Sequence, residues 1–401
     1  MAILTSYRER YPFLTNGRFL AAAIGHFAVD LLNSMRPLVL VLLAARLGLN
    51  NTRLGFFAMT ATLMAALSQP LFGWVSDHRG GRWIATASVF WMASLYALVG
   101  LIHHPLVIWG LVLAALGSGA FHPQGVMNAS QAGGDKRTLA TSIFFTSGQI
   151  ALGLGPAIGG VLLSRYDLPI LVFLGLIITP VALLLWRHTP AQRTEASQAS
   201  KRSMRNMAQT FGEGHYRHMV ITLFTLLVFL RSWGTHSNMT FLPRLLQERG
   251  WSEEWQGLAL TTYMLSSAFA VVFFGRLADE FGRQRVLRFG LLLGILPLYL
   301  YPHLDGWAMF ALVALTGATI GGVHSILVVL AQSLIPHRMA LASGLILGFM
   351  FASGGVGQML TGLIADHIGT ANALTFLAVP VGLSFILSLA LPSTPSRSYN
   401  I

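Results

Sequence analysis

His26, Asp30, Asn33 and Arg36 stand inside a stretch that is otherwise apolar, with FLAAAI before it and LVLVLLAA after. An ionised carboxylate amid hydrocarbon costs roughly 3 kcal/mol on insertion scales, so an acid kept there has a use. On a helix, His26, Asp30 and Asn33 fall within about 60° of one another at 100° per residue and share one face. That face should turn towards a polar interior, because lipid would penalise it. A carboxyl so placed can be protonated and ionised in turn as water reaches it from one side and then the other. Asp30 could instead form a fixed ion pair with Arg36 or Arg231. The two uses are compatible if protonation breaks the pair.

Arg36 and Arg231 are the arginines within the apolar spans that lie away from the cytoplasmic span ends. Guanidinium forks match carboxylate and phosphonate oxygens, so both are candidate anion ligands. Arg36 precedes Pro37 and could equally extend its head to the membrane interface. Arg231 lies some 13 residues into its span, about 20 Å along a helix, a depth that favours a clamp over an interfacial head. His122 and His324 occupy positions 202 residues apart, and His26 and His236 also fall within spans. Histidine relays protons near neutral pH, although such a residue can equally be a packing element that hydrogen-bonds. Asn33, His236, Gln149 and Trp233 are further candidates to line a substrate cavity of mixed polarity. No two of the four histidines have the i, i+4 spacing of a helical ligand pair. The chain has no cysteine, so thiolate metal sites and disulfides are excluded, and no metal or cofactor is expected.

The elements that must position these groups follow from composition. Of 401 residues, 54% are hydrophobic and only 10% charged, too few charges to cover a soluble domain of this size. Apolar runs recur at 19–44, 54–76, 83–102, 106–128, 139–163, 168–187, 218–243, 254–277, 286–302, 307–332, 339–363 and 371–391. Each can cross about 30 Å of hydrocarbon as a helix. The expectation is an all-α membrane protein of twelve transmembrane helices in two six-helix bundles, 19–187 and 218–391. A polar, basic linker at 188–217 joins them, with tails at 1–18 and 392–401. The N-terminal tail reads as retained in the cytoplasm rather than as a signal peptide. The net charge of +12 is a topology signal and not a nucleic-acid footprint. Nineteen of the 26 Lys and Arg fall on the side that holds the tails and linker, which makes that side cytoplasmic.

The halves repeat. GWVSDHRGGR from Gly73 recurs as GRLADEFGRQ from Gly275, and GAFH ending at His122 recurs as GGVH ending at His324, both at an offset of 202. Arg137 with Ser142 corresponds to Arg338 with Ser343 at 201. A parallel duplication of six helices is the pattern of transporters built from repeats, with substrate held near the midplane. The G-x-x-x-D-x-x-G-x-[RK] loop, here Gly73, Asp77, Gly80 and Arg82 with Gly275, Asp279 and Arg283, resembles the signature of the major facilitator superfamily. The resemblance implies a conformational gate, with the small residues allowing close helix approach. GLGPAIGG, with Gly155, Pro156, Gly159 and Gly160, resembles that superfamily's antiporter motif, although Ala151 replaces an upstream glycine. Leu113 stands where many of its proton-driven exporters carry an arginine four residues before Gly117, so proton handling must lie elsewhere. GSGAFHPQ, HFAVDLLNS and the glycine run of the eleventh span resemble the fosmidomycin-resistance group of exporters. That likeness implies the major facilitator fold and drug efflux driven by protons across a bacterial-type inner membrane.

A nucleotide-driven pump is excluded, because Lys136 and Lys201 are both followed by arginine and no phosphate loop exists. One intramembrane acid is too few for paired-acid catalysis, so an enzyme is not expected, and a receptor would not need a duplicated gate. The reading is a secondary transporter working by alternating access. It would exchange protons, through Asp30, His26, His122 and His324, for a small drug-like or anionic compound such as fosmidomycin. Its expected partners are that small molecule, protons and membrane lipid, with no nucleic acid and a monomeric working unit. The alternative is a proton-linked importer of a small organic anion, against which the antiporter motif argues.

Overall fold

A computed structural model describes residues 11–79, 81–191, 215–334 and 339–391. Gly80, most of the linker and the C-terminal tail lie outside the described residues, as do residues 1–10. With no water in hydrocarbon to satisfy the backbone, each apolar run closes its own hydrogen bonds as a helix. Among the described residues, twelve helices are long and apolar enough to cross a membrane. They coincide with the twelve apolar windows to within a few residues.

The first nine spans are α1 (Gly17–Arg46), α2 (Asn51–Arg79), α3 (Gly81–Leu101), α4 (Ile108–Ala132), α5 (Arg137–Tyr166), α6 (Ile170–His188), α7 (His215–Glu248), α8 (Glu253–Phe281) and α9 (Arg283–Leu300). The tenth span is interrupted. Helix α10 (Gly306–Thr316) passes into a π-helical turn at Gly317–Gly321 before α11 (His324–Leu334). The eleventh span is α12 (Met339–Ile368), and the twelfth is α13 (Thr370–Phe376) with α14 (Ala378–Ala390).

The chain separates into two compact units. The first comprises Met1–Leu43 and Thr60–Ser200; the second comprises Ala44–Met59 and Lys201–Ile401. In the first unit, α5 lies along α1 through its glycines. A Cβ at Gly148 would press on His26 and Asp30, one at Gly155 on Ser34, and one at Gly159 on Met35. Side chains bond to backbone carbonyls along the same seam, Ser147 Oγ to Ala23 O at 3.0 Å and Ser34 Oγ to Ala151 O at 3.3 Å. Small residues therefore permit the approach that the bonds require, the usual solution where helices meet without a hydrophobic driving force.

The second unit uses the same device between α7 and α12. Gly354 accommodates the His236 ring and Gly357 accommodates Trp233. Trp233 Nε1 donates to Thr361 Oγ1 at 2.8 Å, and Gln358 Nε2 donates to Thr240 Oγ1 at 2.7 Å. The beginning of α2 also belongs to this unit. The Asp366 carboxylate at the end of α12 accepts from the backbone N–H groups of Asn51 at 2.7 Å and Thr52 at 2.9 Å. It thereby satisfies two of the orphan donors of the α2 N-terminus. Arg244 Nε bridges Asn51 Oδ1 at 3.0 Å and Glu248 Oε1 at 2.8 Å beside it.

Candidate functional site

Asp30 is buried on α1, with imidazoles on both sides. His26, one turn earlier, places Nε2 3.1 Å from Asp30 Oδ2. His122 reaches across from α4 and places Nε2 3.4 Å from Asp30 Oδ1. Asn33 Nδ2 donates to the same Oδ1 at 3.1 Å and to Ser118 Oγ at 2.8 Å. Arg36 does not take Asp30; its Nη2 donates to Asn33 Oδ1, and its Nε is buried without a hydrogen-bond partner among the described residues. Among the described residues, the ion-pair partners of Asp30 are histidines. The Arg36 pair considered from sequence gives way because Asn33 stands between the two charges and bonds to both.

Each ring is fixed from behind. His26 Nδ1 bonds to the Phe144 carbonyl of α5 at 2.8 Å, and the ring stacks on Phe144 with centroids 4.1 Å apart. His122 Nδ1 bonds to the Ser118 carbonyl at 2.7 Å. Spacing along the chain gave no sign that histidines converge. They do, because α1 and α4 approach closely enough for one carboxylate to touch a ring from each. Donor atoms of His26, Asp30 and His122 lie within 4.8 Å of one another, one short of the four that a closed structural metal site supplies.

The second unit holds a matching cluster. Arg231, at an offset of 201 from Asp30, is buried on α7. Its Nε and Nη2 donate to the Ile320 carbonyl at 3.0 and 2.7 Å, and Nη2 also reaches the Gly321 carbonyl at 3.2 Å. These carbonyls belong to the π-helical turn, where the regular ladder is interrupted. Nη1 stands 3.4 Å from His324 Nδ1. A guanidinium only donates, so His324 Nδ1 is the acceptor in this contact. His324 is thus engaged by an arginine where its counterpart His122 is engaged by an acid. Among the described residues Arg231 has no acidic partner. His236 bonds through Nδ1 to the Ser232 carbonyl at 3.1 Å.

The remaining sequence candidates are distributed more widely. Gln149 is exposed on α5, and Trp233 bonds to Thr361 as described. Arg82 donates from Nε to the Thr189 carbonyl at 2.6 Å and lies over the Trp186 ring, tying the start of α3 to the end of α6. The side chains of Asp77 and Asp279 lie outside the described residues, as does Gly80. Gly73 and Gly275 have ordinary room, with the nearest atoms to an added Cβ at 3.9 and 4.0 Å. Close approach in the loop falls instead on Gly81, where a Cβ would meet Gln124. In the antiporter motif, Gly155 and Gly159 face α1, which gives that run a packing role beside the cluster. Sequence reasoning missed Phe144, Ser118 and Gly148. Phe144 and Ser118 hold the histidines through backbone carbonyls, which residue type does not reveal, and add a stacked ring and a hydroxyl; Gly148 acts through having no side chain.

The sequence pattern of the family described as Major Facilitator Superfamily matches residues 19–230 and again 221–400. The chain is 27% identical over 353 residues to the fosmidomycin resistance protein of Escherichia coli (strain K12), covering 86% of each. It is 26% identical over 292 residues to the multidrug resistance protein MdtG of Citrobacter koseri, covering 69% of this chain and 70% of that one. Its fold superposes on a bacterial homolog to the human lysosomal transporter Spinster with a TM-score of 0.78, at 14% identity and over 93% and 96% of the two chains. Twelve spans, the all-helical fold and the doubled family match agree. The chain belongs to the Major Facilitator Superfamily, as a membrane-spanning secondary transporter and not an enzyme.

Proposed function

We propose that the chain is a proton-coupled antiporter that exports small drug-like or anionic compounds of the fosmidomycin type by alternating access. The observation that carries this reading is the Asp30 carboxylate held between His26 Nε2 at 3.1 Å and His122 Nε2 at 3.4 Å inside a membrane-spanning bundle. Three titratable groups in mutual contact can load and release protons as water access changes sides. Export is supported by relatives named for resistance, and by the glycines of the antiporter motif that seat α5 on α1.

The anionic preference rests on Arg231. Among the described residues the buried guanidinium has carbonyl and imidazole partners but no carboxylate, and burying a charge so placed is costly until an anion joins it. Much of its fork is already committed to the π-helical turn, so an anion would meet it chiefly through Nη1. The Asp77 and Asp279 loops serve as the conformational gate. The protein works as a monomer in a bacterial-type inner membrane with both termini in the cytoplasm. Labelled fosmidomycin offered to inside-out vesicles tests the direction. Uptake driven by an acidic lumen, with the compound recovered unchanged, supports export; uptake only into right-side-out vesicles supports import and contradicts the proposal.

A further inference from the structure

The hydrogen-bond arrangement around Asp30 counts its protons. The carbonyls of Phe144 and Ser118 can only accept, so Nδ1 of His26 and Nδ1 of His122 must each carry a hydrogen. A neutral imidazole has one N–H, which leaves both Nε2 atoms as bare lone pairs. Each of those atoms faces a carboxylate oxygen, at 3.1 Å for His26 and 3.4 Å for His122. Lone pair against lone pair is repulsive, so each contact is a hydrogen bond only when a proton lies in it. The carboxyl can lend a proton to one contact and never to both.

We propose that the His26–Asp30–His122 cluster holds two exchangeable protons, one in each imidazole–carboxylate contact, and that both move in each transport cycle. This rests on the antiport reading and deepens it by fixing the number of protons exchanged. With both protons present the cluster carries one positive charge; with one it is neutral; with none it is negative. The groups that face it are few. His26 and, through Asn33, Arg36 come from α1; His122 and Ser118 come from α4. From α5 come the Phe144 carbonyl and the gap left by Gly148, with no titratable side chain among the described contacts. Tyr96 of α3 donates to the Leu32 carbonyl nearby and interacts with Arg36. Among the described residues Arg36 is thus the one permanent charge linked to it, through Asn33.

Exposure orders the two sites. The His122 side chain is 24% exposed and that of His26 only 4%. His122 is the port at which protons enter and leave, and His26 is filled through Asp30. Loss of the outer proton leaves His122 Nε2 against the carboxylate without a bridge, so α4 loses its hold on α1 at that point. Proton release is in this way coupled to a loosening inside the bundle.

Two measurements test the count. In the full chain labelled with ¹⁵N-histidine and held in nanodiscs, nitrogen resonances of both rings would be followed through pH, with assignment by His26→Gln and His122→Gln. The proposal requires both Nδ1 atoms to stay protonated throughout while both Nε2 atoms gain and lose a proton. A single titrating Nε2, or a ring with its hydrogen on Nε2 in the unprotonated form, overturns it. In proteoliposomes, protons counted with a lumenal dye against labelled fosmidomycin moved should reach two per molecule in the wild type and fall to one or none in His122→Gln. A wild-type ratio of one overturns the proposal. If fosmidomycin is not moved at all, the choice of substrate fails, and the resonance count still decides how many protons the cluster holds.

Discussion

His122 stands 3.4 Å from Asp30 in the first unit, and its counterpart His324 stands 3.4 Å from Arg231 in the second. The duplication has kept the histidine and the contact while reversing the charge of the partner. A histidine facing a carboxylate is encouraged to hold a proton; one facing a guanidinium must offer a lone pair. One repeated arrangement thus sets a histidine against a carboxylate in one half and against a guanidinium in the other.

Gly148 is the position where any side chain would enter the cluster. A Cβ there would come 2.6 Å from His26 Nε2 and 2.6 Å from Asp30 Oδ2. Gly148→Val should lower thermal stability by about 1–3 kcal/mol, as overpacking does. Proton-coupled transport should be lost with it. Wild-type transport and melting temperature in this variant would show that α5 does not hold the rings in place.

Arg231 is expected to matter twice. Removing it leaves the Ile320 and Gly321 carbonyls of the π-helical turn without their donors, a loss of about 1–3 kcal/mol for each group left unsatisfied. Arg231→Lys should recover little, because an ammonium lacks the planar fork. Apparent affinity for anionic compounds should fall roughly tenfold, a change of ~1.4 kcal/mol, and that for neutral ones much less. Equal loss for both classes would assign Arg231 to the turn alone.

Asp366 clips the end of α12 to the start of α2 through two backbone bonds. Asp366→Ala should cost roughly 1 kcal/mol, the usual effect of removing an acceptor from a helix N-terminus. Asp366→Asn should cost less, since an amide oxygen can still accept. Thermal unfolding in detergent reads both, and an unchanged melting temperature for the alanine variant would remove the clip from the account.

The long-range fold was largely legible. Hydrocarbon thickness sets helix length, so twelve apolar windows marked twelve spans, and a repeated loop marked two halves. The shared face of His26, Asp30 and Asn33 followed from helical period alone. The partners did not. His122 meets Asp30 across 92 residues of chain, and Asp366 meets Asn51 across 315. Local pattern carries no information on such pairs. The break in the tenth span was equally hidden, because GATIG at 317–321 has the same small and apolar residues as a regular helix would use.

The central claim is that Asp30 couples protons to substrate, and dye-loaded proteoliposomes under an imposed proton gradient test it most directly. Fosmidomycin and a panel of organic anions would be added one at a time to wild type and to Asp30→Asn, with folding of the variant checked by its elution and melting. The account predicts proton release from the lumen when a transported compound is added to wild type, and none in the variant. Proton movement of wild-type size in Asp30→Asn, or transport without proton movement in both, would contradict it.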